Sequence, residues 1–399
     1  MRRKITTVIA GLLLASFSSK AQFDPKIRFN GFGDLIAAMP FNKVANDGAS
    51  QLFKQYGDEY YPYDVHSGLK IHGLDMLTTI QLDENIKFQT EINIDGGRSK
   101  HASMFDIYVD RMYLDYKFTD YVGFQLGLIY TPIGYINRNL YSRAWLMNSV
   151  HFYPAVEQWT GLIQSHFAGI TEYGTLALPK GNCINYTFGV GMPKGATPNE
   201  QIYFGGQLGY QFTALLEWKA FIKESELHVG LSGYTDKIYT YYIQNLGDEI
   251  NVDDTGLSKL QLQEVGFNPY VLFKSKFADI LCEYATVNTH VLRGDYPNKD
   301  LNLSFLSAEV AFNRKLKGKR LAPYLRYEYV KVPEGGGPYY GLRIEDETIK
   351  RTYSPNFEAM MVGVAYDLAS FNRIKLEYMH NFDGPFASDC IFFQTAFGF

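Results

Sequence analysis

A period of two in the side chains constrains this chain more than anything else in it. In IKFQTEINID, Ile86, Phe88, Thr90, Ile92 and Ile94 alternate with Lys87, Gln89, Glu91, Asn93 and Asp95, an apolar face against a polar one. Successive side chains leave opposite faces in a strand, so the stretch reads as β rather than as helix. The pattern returns in VGFQLGLIY from Val122, CINYTFGV from Cys183, MVGVAYDL from Met361 and RIKLEYMH from Arg373. The chain also stops on it. In CIFFQTAFGF, Ile391, Phe393, Thr395, Phe397 and Phe399 make an oily face, and Phe392, Gln394, Ala396 and Gly398 a small, mixed one.

About sixteen such segments of roughly 10 to 15 residues can be counted, as in a membrane barrel. Their spans are 25–37, 68–82, 86–95, 105–118, 121–132, 160–178, 183–192, 203–216, 226–240, 260–274, 276–290, 301–315, 319–332, 356–368, 373–382 and 389–399. Every second connection is short, among them Asp83 to Asn85, Thr119-Asp120, Pro179 to Asn182 and Ala369 to Asn372. Trp218 to Ser225 reads as a somewhat longer member of this set. The other connections include the long ones, 38–67, 133–159, 241–259 and 333–355. Short turns on one rim and long loops on the other, with both termini on the short-turn side, suit an outer-membrane barrel. A soluble sandwich has no reason to alternate its loop lengths this way.

Composition supports β structure: 31 tyrosines and 29 phenylalanines favour pleated, half-buried surfaces. The N-terminus reads as a secretory signal peptide over residues 1–21, with the basic start MRRK, the apolar run VIAGLLLASF and Ser19-Lys20-Ala21 as the cleavage site. Residues 22–399 are then the barrel. Removing the four cations of the leader from a chain of net charge −4 leaves about −8, which argues against general nucleic-acid binding. Cys183, Cys282 and Cys390 are too few and too scattered for a disulfide framework or a metal site. No metal or cofactor is implied.

Period two alone does not separate a sandwich from a membrane barrel. In hydrocarbon every backbone polar group must be paired, which only a closed sheet supplies. The leader, the loop asymmetry and the terminal aromatic favour a transmembrane antiparallel barrel, apolar outside and polar within, in a Gram-negative outer membrane. Sixteen strands leave an aqueous channel. Candidate lining groups are Arg28, Lys87, Glu91, Asp95, Lys117, Glu283, Arg326, Glu328, Lys375 and Glu377, or these are polar residues that simply meet lumen water. Phe393, Phe397 and Phe399 look like the signal that outer-membrane assembly machinery reads on the last strand of such barrels.

The third long connection, Thr131 to Trp159, differs from the rest: it holds several apolar residues and a helix-like stretch from Arg138 to Met147. Folded inward, it would narrow the channel and place Arg138 and Arg143, with Asn137 and Tyr141, where charge selects ions by sign. Packed on the rim instead, it would leave the arginines solvated or paired with Glu157.

The run GFQLGLIYTPIGYINRNLYSRAWLMNSVHF resembles the phosphate-selective porin O and P family, in which a strand ending in such a Thr-Pro turn leads into an arginine-containing constriction loop. TGLIQSHFAG and CINYTFGVGM resemble that family's next two strands, so the specific likeness covers about residues 121–192. The resemblance implies a trimeric sixteen-stranded porin for anions, phosphate in particular, lined by arginines and lysines. This chain departs from it in showing no dense arginine ladder on the inward faces and in being acidic.

The expected function is passive diffusion of small polar solutes or ions, with membrane lipid, solutes and other copies of the chain as partners and without catalysis. Eight histidines are present, but no Gly-x-Ser-x-Gly elbow or His-Glu-x-x-His helix. A hydrolase site assembled across strands stays a minor alternative. A plugged, energised transporter is not expected, since strand-like sequence begins at Pro25. A structural or adhesive barrel acting through loops 38–67 and 333–355 is the other alternative.

Overall fold

The structure is a computed structural model. It describes residues 26–41, 68–96, 105–140, 145–150, 164–193, 210–240, 260–293, 300–331, 342–345, 348–351, 357–383 and 389–399, and everything below concerns these. The expected leader, Tyr141, Arg143 and Glu157 lie outside them, as does the Asp95 side chain.

The strands are β1 (Lys26–Pro40), β2 (Gly68–Gln81), β3 (Ile86–Gly96), β4 (Phe105–Lys117), β5 (Gly123–Tyr130), β6 (His166–Ala177) and β7 (Cys183–Gly191). They continue as β8 (Gln211–Ile222), β9 (Ser225–Thr240), β10 (Leu260–Lys274), β11 (Ala278–Arg293), β12 (Asp300–Phe312), β13 (Arg314–Leu316) and β14 (Lys319–Lys331). The last are β15 (Leu342–Glu345), β16 (Thr348–Arg351), β17 (Phe357–Ala369), β18 (Asn372–Asp383) and β19 (Cys390–Gly398). β13 only extends β12 past Asn313, and β15 pairs with β16 in a separate hairpin. The remainder is a closed antiparallel barrel of sixteen strands, each bonded to its neighbours in sequence, with β1 closing on β19.

Closure comes down to the chain's last residue. Gly31 and Phe399 exchange backbone hydrogen bonds of 2.8 and 2.9 Å, one residue beyond the Phe32–Gly398 register. A side chain at Gly31 would overlap the Phe399 ring, so the tip of the terminal aromatic fills space that only glycine leaves free.

The alternation points the way a membrane barrel requires. On β8, Phe212, Leu216 and Trp218 are exposed to the outside at 48%, 52% and 43%, while Gln211, Thr213 and Glu217 are buried on the inside. On β19 the oily face is again the outer one. A soluble sandwich would bury the first set and wet the second; this barrel does the reverse, and its closed ladder leaves no unpaired edge for lipid to meet. Turns on one rim, where the C-terminus also lies, take two to five residues; connections on the other take six to thirty-five.

Two expectations shift. The eighth strand is Gln211–Ile222, not 203–216: outward alternation runs on through Trp218, and the expected Trp218–Ser225 connection shrinks to the tight turn Lys223-Glu224, with Lys223 at φ 58°. The sixth begins at His166 rather than 160, with Gln164 and Ser165 leading in. The interior also holds something the alternation did not announce. Leu303, Phe305, Met361, Met379 and Phe392 are buried on inward faces of β12, β17, β18 and β19, in one apolar cluster with Ile133, Ile136, Met147 and Val150.

Candidate functional site

The inward cluster leads to the segment between β5 and β6. Its ends are tied together where the two strands stop: the Thr131 N–H bonds the Ser165 carbonyl at 2.9 Å, and the Asn137 side chain donates to Thr131 O at 2.8 Å and Ser165 O at 3.1 Å. Asp110 accepts from Tyr130 at 2.5 Å and faces His166 at 3.1 Å beside the same junction. Asn137 is thus a buried clamp on the segment's own backbone.

A five-residue helix, α1 (Tyr135–Asn139), starts ahead of the helix-like stretch Arg138 to Met147 that the sequence suggests, of which residues 141–144 lie outside the described ones. It starts earlier because Gly134, at φ 65°, turns the chain where a side chain would strike Glu283. The Glu283 carboxylate then accepts the N–H groups of Tyr135 and Ile136, each at 2.9 Å, as an anion does at a helix start. Asn268 holds the other Glu283 oxygen at 2.9 Å, and Ser232 accepts the Gly134 N–H at 2.8 Å. Arg138, at the other end of the helix, reaches Glu217 at 3.3 Å and the Tyr270 hydroxyl at 2.8 Å, and Tyr270 also donates to Glu217. One short helix is therefore bonded to inward side chains of β8, β9, β10 and β11.

Residues 145–150 engage the next part of the wall. Arg373 donates to the carbonyls of Trp145 at 2.9 Å and Met147 at 3.2 Å, with its guanidinium 5.0 Å from the Trp145 ring centre. Asn148 donates to Glu309 at 2.8 Å and accepts from Arg320 at 3.1 Å. Ser149 takes Arg326 at 2.5 Å through its hydroxyl and Lys375 at 2.8 Å through its carbonyl, and the Val150 N–H bonds Glu377 at 3.0 Å. Beneath these contacts Arg326, Glu328 and Glu377 are fully buried and Lys375 nearly so.

The opposite wall, from β2 to β7, is of another kind. Gln89 donates to Thr79 at 3.1 Å and accepts from Tyr113; Tyr173 donates to Asp115 at 2.5 Å; Thr175 donates to Asn185 at 2.9 Å. Apart from Tyr113 these groups are only half-buried. Among the half-buried groups neutral amides and hydroxyls predominate beside Asp115, while Asp75, Glu91, Asp110 and Arg111 are buried in the same wall.

The candidate lining residues therefore fall into three groups. Arg28, Lys87 and Lys117 are exposed at the short-turn rim, where Lys117 pairs with Asp120 at 2.6 Å and, by that bond and its charge, holds the Asp120 carboxyl below its ordinary range. Glu91 is buried against Arg111. Arg326 and Glu328 pair with each other under Ser149. The sequence reading did not single out Glu217, Tyr270, Glu309 or Arg373; inward parity on their strands is the only local mark they carry. Phe393 and Phe399 are exposed on the outer face of β19, and Phe397 lies half-buried beside Gly33.

No family model matches the chain, and no curated protein matches its sequence. Solved structures do match its fold. The anion-selective porin from Comamonas acidovorans aligns with TM-score 0.56 at 10% identity, over 94% of this chain and 100% of the other. The outer membrane channel DcaP of Acinetobacter baumannii aligns with TM-score 0.53 at 12% identity, over 95% and 99%. OmpT, an outer membrane protein of Vibrio cholerae, aligns in its trimer form with TM-score 0.53 at 13% identity, over 94% and 100%. At these identities the likeness is one of architecture along the whole barrel: the chain has the fold of outer-membrane porins and channels.

Proposed function

We propose that this protein is a porin of the outer membrane that lets small polar solutes or ions diffuse passively across it. The observation that carries the reading is the asymmetric interior. One wall is covered by the segment between β5 and β6, while the wall from β2 to β7 keeps half-exposed amide and hydroxyl groups. A sixteen-stranded barrel is wide enough to hold water along such a wall. In this reading residues 1–21 are the export leader and Phe393, Phe397 and Phe399 the signal for assembly. The segment 131–165 is the inward third loop that sets the channel's width, with Asn137 and Arg138 in its fixed part and Tyr141 and Arg143 farther along it. Kinship with the phosphate-selective O and P family, and assembly as a trimer, belong to the same proposal. Preference for anions such as phosphate would need guanidinium groups turned to the lumen, and Arg138 is instead spoken for by Glu217.

Single-channel recording of the purified barrel in a planar bilayer tests the porin reading. Discrete ohmic steps are expected; membranes that stay silent while the protein remains folded would overturn it.

A further inference from the structure

We propose that the lumen selects by hydrogen bonding rather than by charge, passing small uncharged sugars and polyols, and that Glu217 keeps it so by neutralising Arg138. This rests on the porin reading above and names its solute class. Five arginines of the inner wall carry the first part of the argument; Arg28, on the same face of β1, is exposed at the short-turn rim. Arg111 pairs with Glu91, Arg138 with Glu217, Arg320 with Asp279 at 3.4 Å, Arg326 with Glu328, and Arg373 with Asp367 at 2.6 Å. A phosphate or carboxylate entering the lumen would have to displace a carboxylate already in place, because guanidinium groups bind such anions through the same fork of donors.

Along β2 to β7 the half-exposed inward groups are Thr79, Gln89, Gln125, Tyr173, Thr175 and Asn185, with Asp115 capped by the Tyr173 hydroxyl; the exposed cations Lys87 and Lys117 stand apart from them at the short-turn rim, Lys117 against Asp120. Amides and hydroxyls both donate and accept. A sugar can therefore exchange its water for wall contacts without stripping the hydration from a charge, which is the costly step for an ion.

Glu217 sits where the two walls meet. Its Oε1 accepts from Asn185 at 2.8 Å, on the neutral side; its Oε2 takes Arg138 and the Tyr270 hydroxyl, on the covered side, with His228 at 3.4 Å. The neighbouring Lys219 is paired in turn with Glu226, which His228 also reaches at 2.6 Å. Arg138 is anchored besides by its Nε donating to Gly134 O at 2.9 Å, so losing Glu217 would leave the guanidinium in place without its ion-pair partner. Glu217 is a positioning residue that sets selectivity through Arg138.

The test is a charge cycle in planar bilayers under a potassium chloride gradient, read as the permeability ratio from the reversal potential. Wild type is expected to be nearly non-selective. Glu217→Gln should move the ratio about fourfold toward chloride and Arg138→Gln about fourfold toward potassium, the effect of one unit charge about 10 Å from the ion path in water. The double variant should return close to wild type. Swelling of wild-type liposomes should be faster in arabinose or glucose than in isosmotic sodium phosphate. Conducting channels whose ratio ignores both substitutions, or a wild type strongly selective for anions, overturn this inference and leave the porin standing. A folded barrel that never conducts overturns both. If Glu217→Gln fails to fold, Arg138→Gln carries the test alone: the ratio should pass from near unity to a preference for potassium, whereas loss of an anion filter would start from an anion-selective wild type and end near unity.

Discussion

Glu283 Oε2 accepts the backbone N–H of Ile136 at 2.9 Å, joining residues 147 positions apart in the chain. The same oxygen takes the Tyr135 N–H, so one carboxylate fixes the start of α1 against β11. Glu377 does the corresponding work farther along through the Val150 N–H, held in its turn by the Tyr324 hydroxyl at 2.7 Å. The segment between β5 and β6 is thus attached at two places along its described part by wall carboxylates bonded to its backbone.

Replacing Glu283 by alanine removes two charge-assisted bonds to a buried backbone, a loss of roughly 2–4 kcal/mol in the segment's attachment. The variant is expected to fold as a barrel but to give noisier, larger single-channel steps, and to be cut by trypsin near Arg138 faster than wild type. Conductance traces superimposable on wild type would show that Glu283 is not the tether.

Closure predicts a coupled pair. A leucine at Gly31 collides with the Phe399 ring, and overpacking of this kind costs about 1–3 kcal/mol. Gly31→Leu should lower the folded fraction, measured as the heat-modifiable band on electrophoresis, and Phe399→Ala in the same chain should recover part of it. Independent, additive losses would argue that the contact is incidental.

The direction of the alternation predicts an asymmetry between outward and inward positions. Leu216→Arg puts a charge on the exposed apolar belt of β8, which costs about 2–4 kcal/mol near the bilayer centre. Thr175→Arg places the same charge on a half-exposed inward position of β6 and should cost less than about 1 kcal/mol. Urea unfolding in lipid vesicles, followed by tryptophan emission, measures both; equal costs would contradict the assignment of faces.

At the long-loop rim, Asp389 accepts from Tyr378 at 2.7 Å and from His380 at 2.6 Å. Slight burial pushes its carboxyl up, the two hydrogen bonds push it down, and the bonds win, leaving it below the usual carboxylate range. A depressed carboxylate adds stability above its unfolded pKa of about 3.9, and this is lost as pH falls through the folded value. Asp389→Asn should therefore matter at neutral pH, by under about 1 kcal/mol at so exposed a site, and make no difference near pH 2. A stability difference that grows on acidification would reverse the sign of this account.

Most of the barrel was legible because an outward apolar face writes itself into sequence every second residue, as in Ile86 to Ile94 or Ile391 to Phe399. The sequence misplaces the eighth strand because Glu217, Lys219, Lys223 and Glu224 look like one charged turn; only Lys223 and Glu224 form it, while Glu217 and Lys219 lie on the inner wall. That slip hid the pairing of Arg138 with Glu217, which depends on the register of a strand 79 residues away. The apolar inner patch was illegible for another reason. Phe305 or Met361 reads as noise on a polar face until Ile136 and Val150 are brought across the barrel to cover it, and no local pattern announces a long-range partner.

The most direct test of the central claim is solute flux. Folded protein in liposomes, challenged with isosmotic arabinose, glucose, sucrose and raffinose, should give swelling rates that fall with solute size, fastest for the pentose. Glu283→Ala should shift that series toward larger sugars. Liposomes that hold correctly folded barrels and do not swell in any of these sugars would contradict a water-filled path along β2 to β7, and with it the account of this protein as a porin.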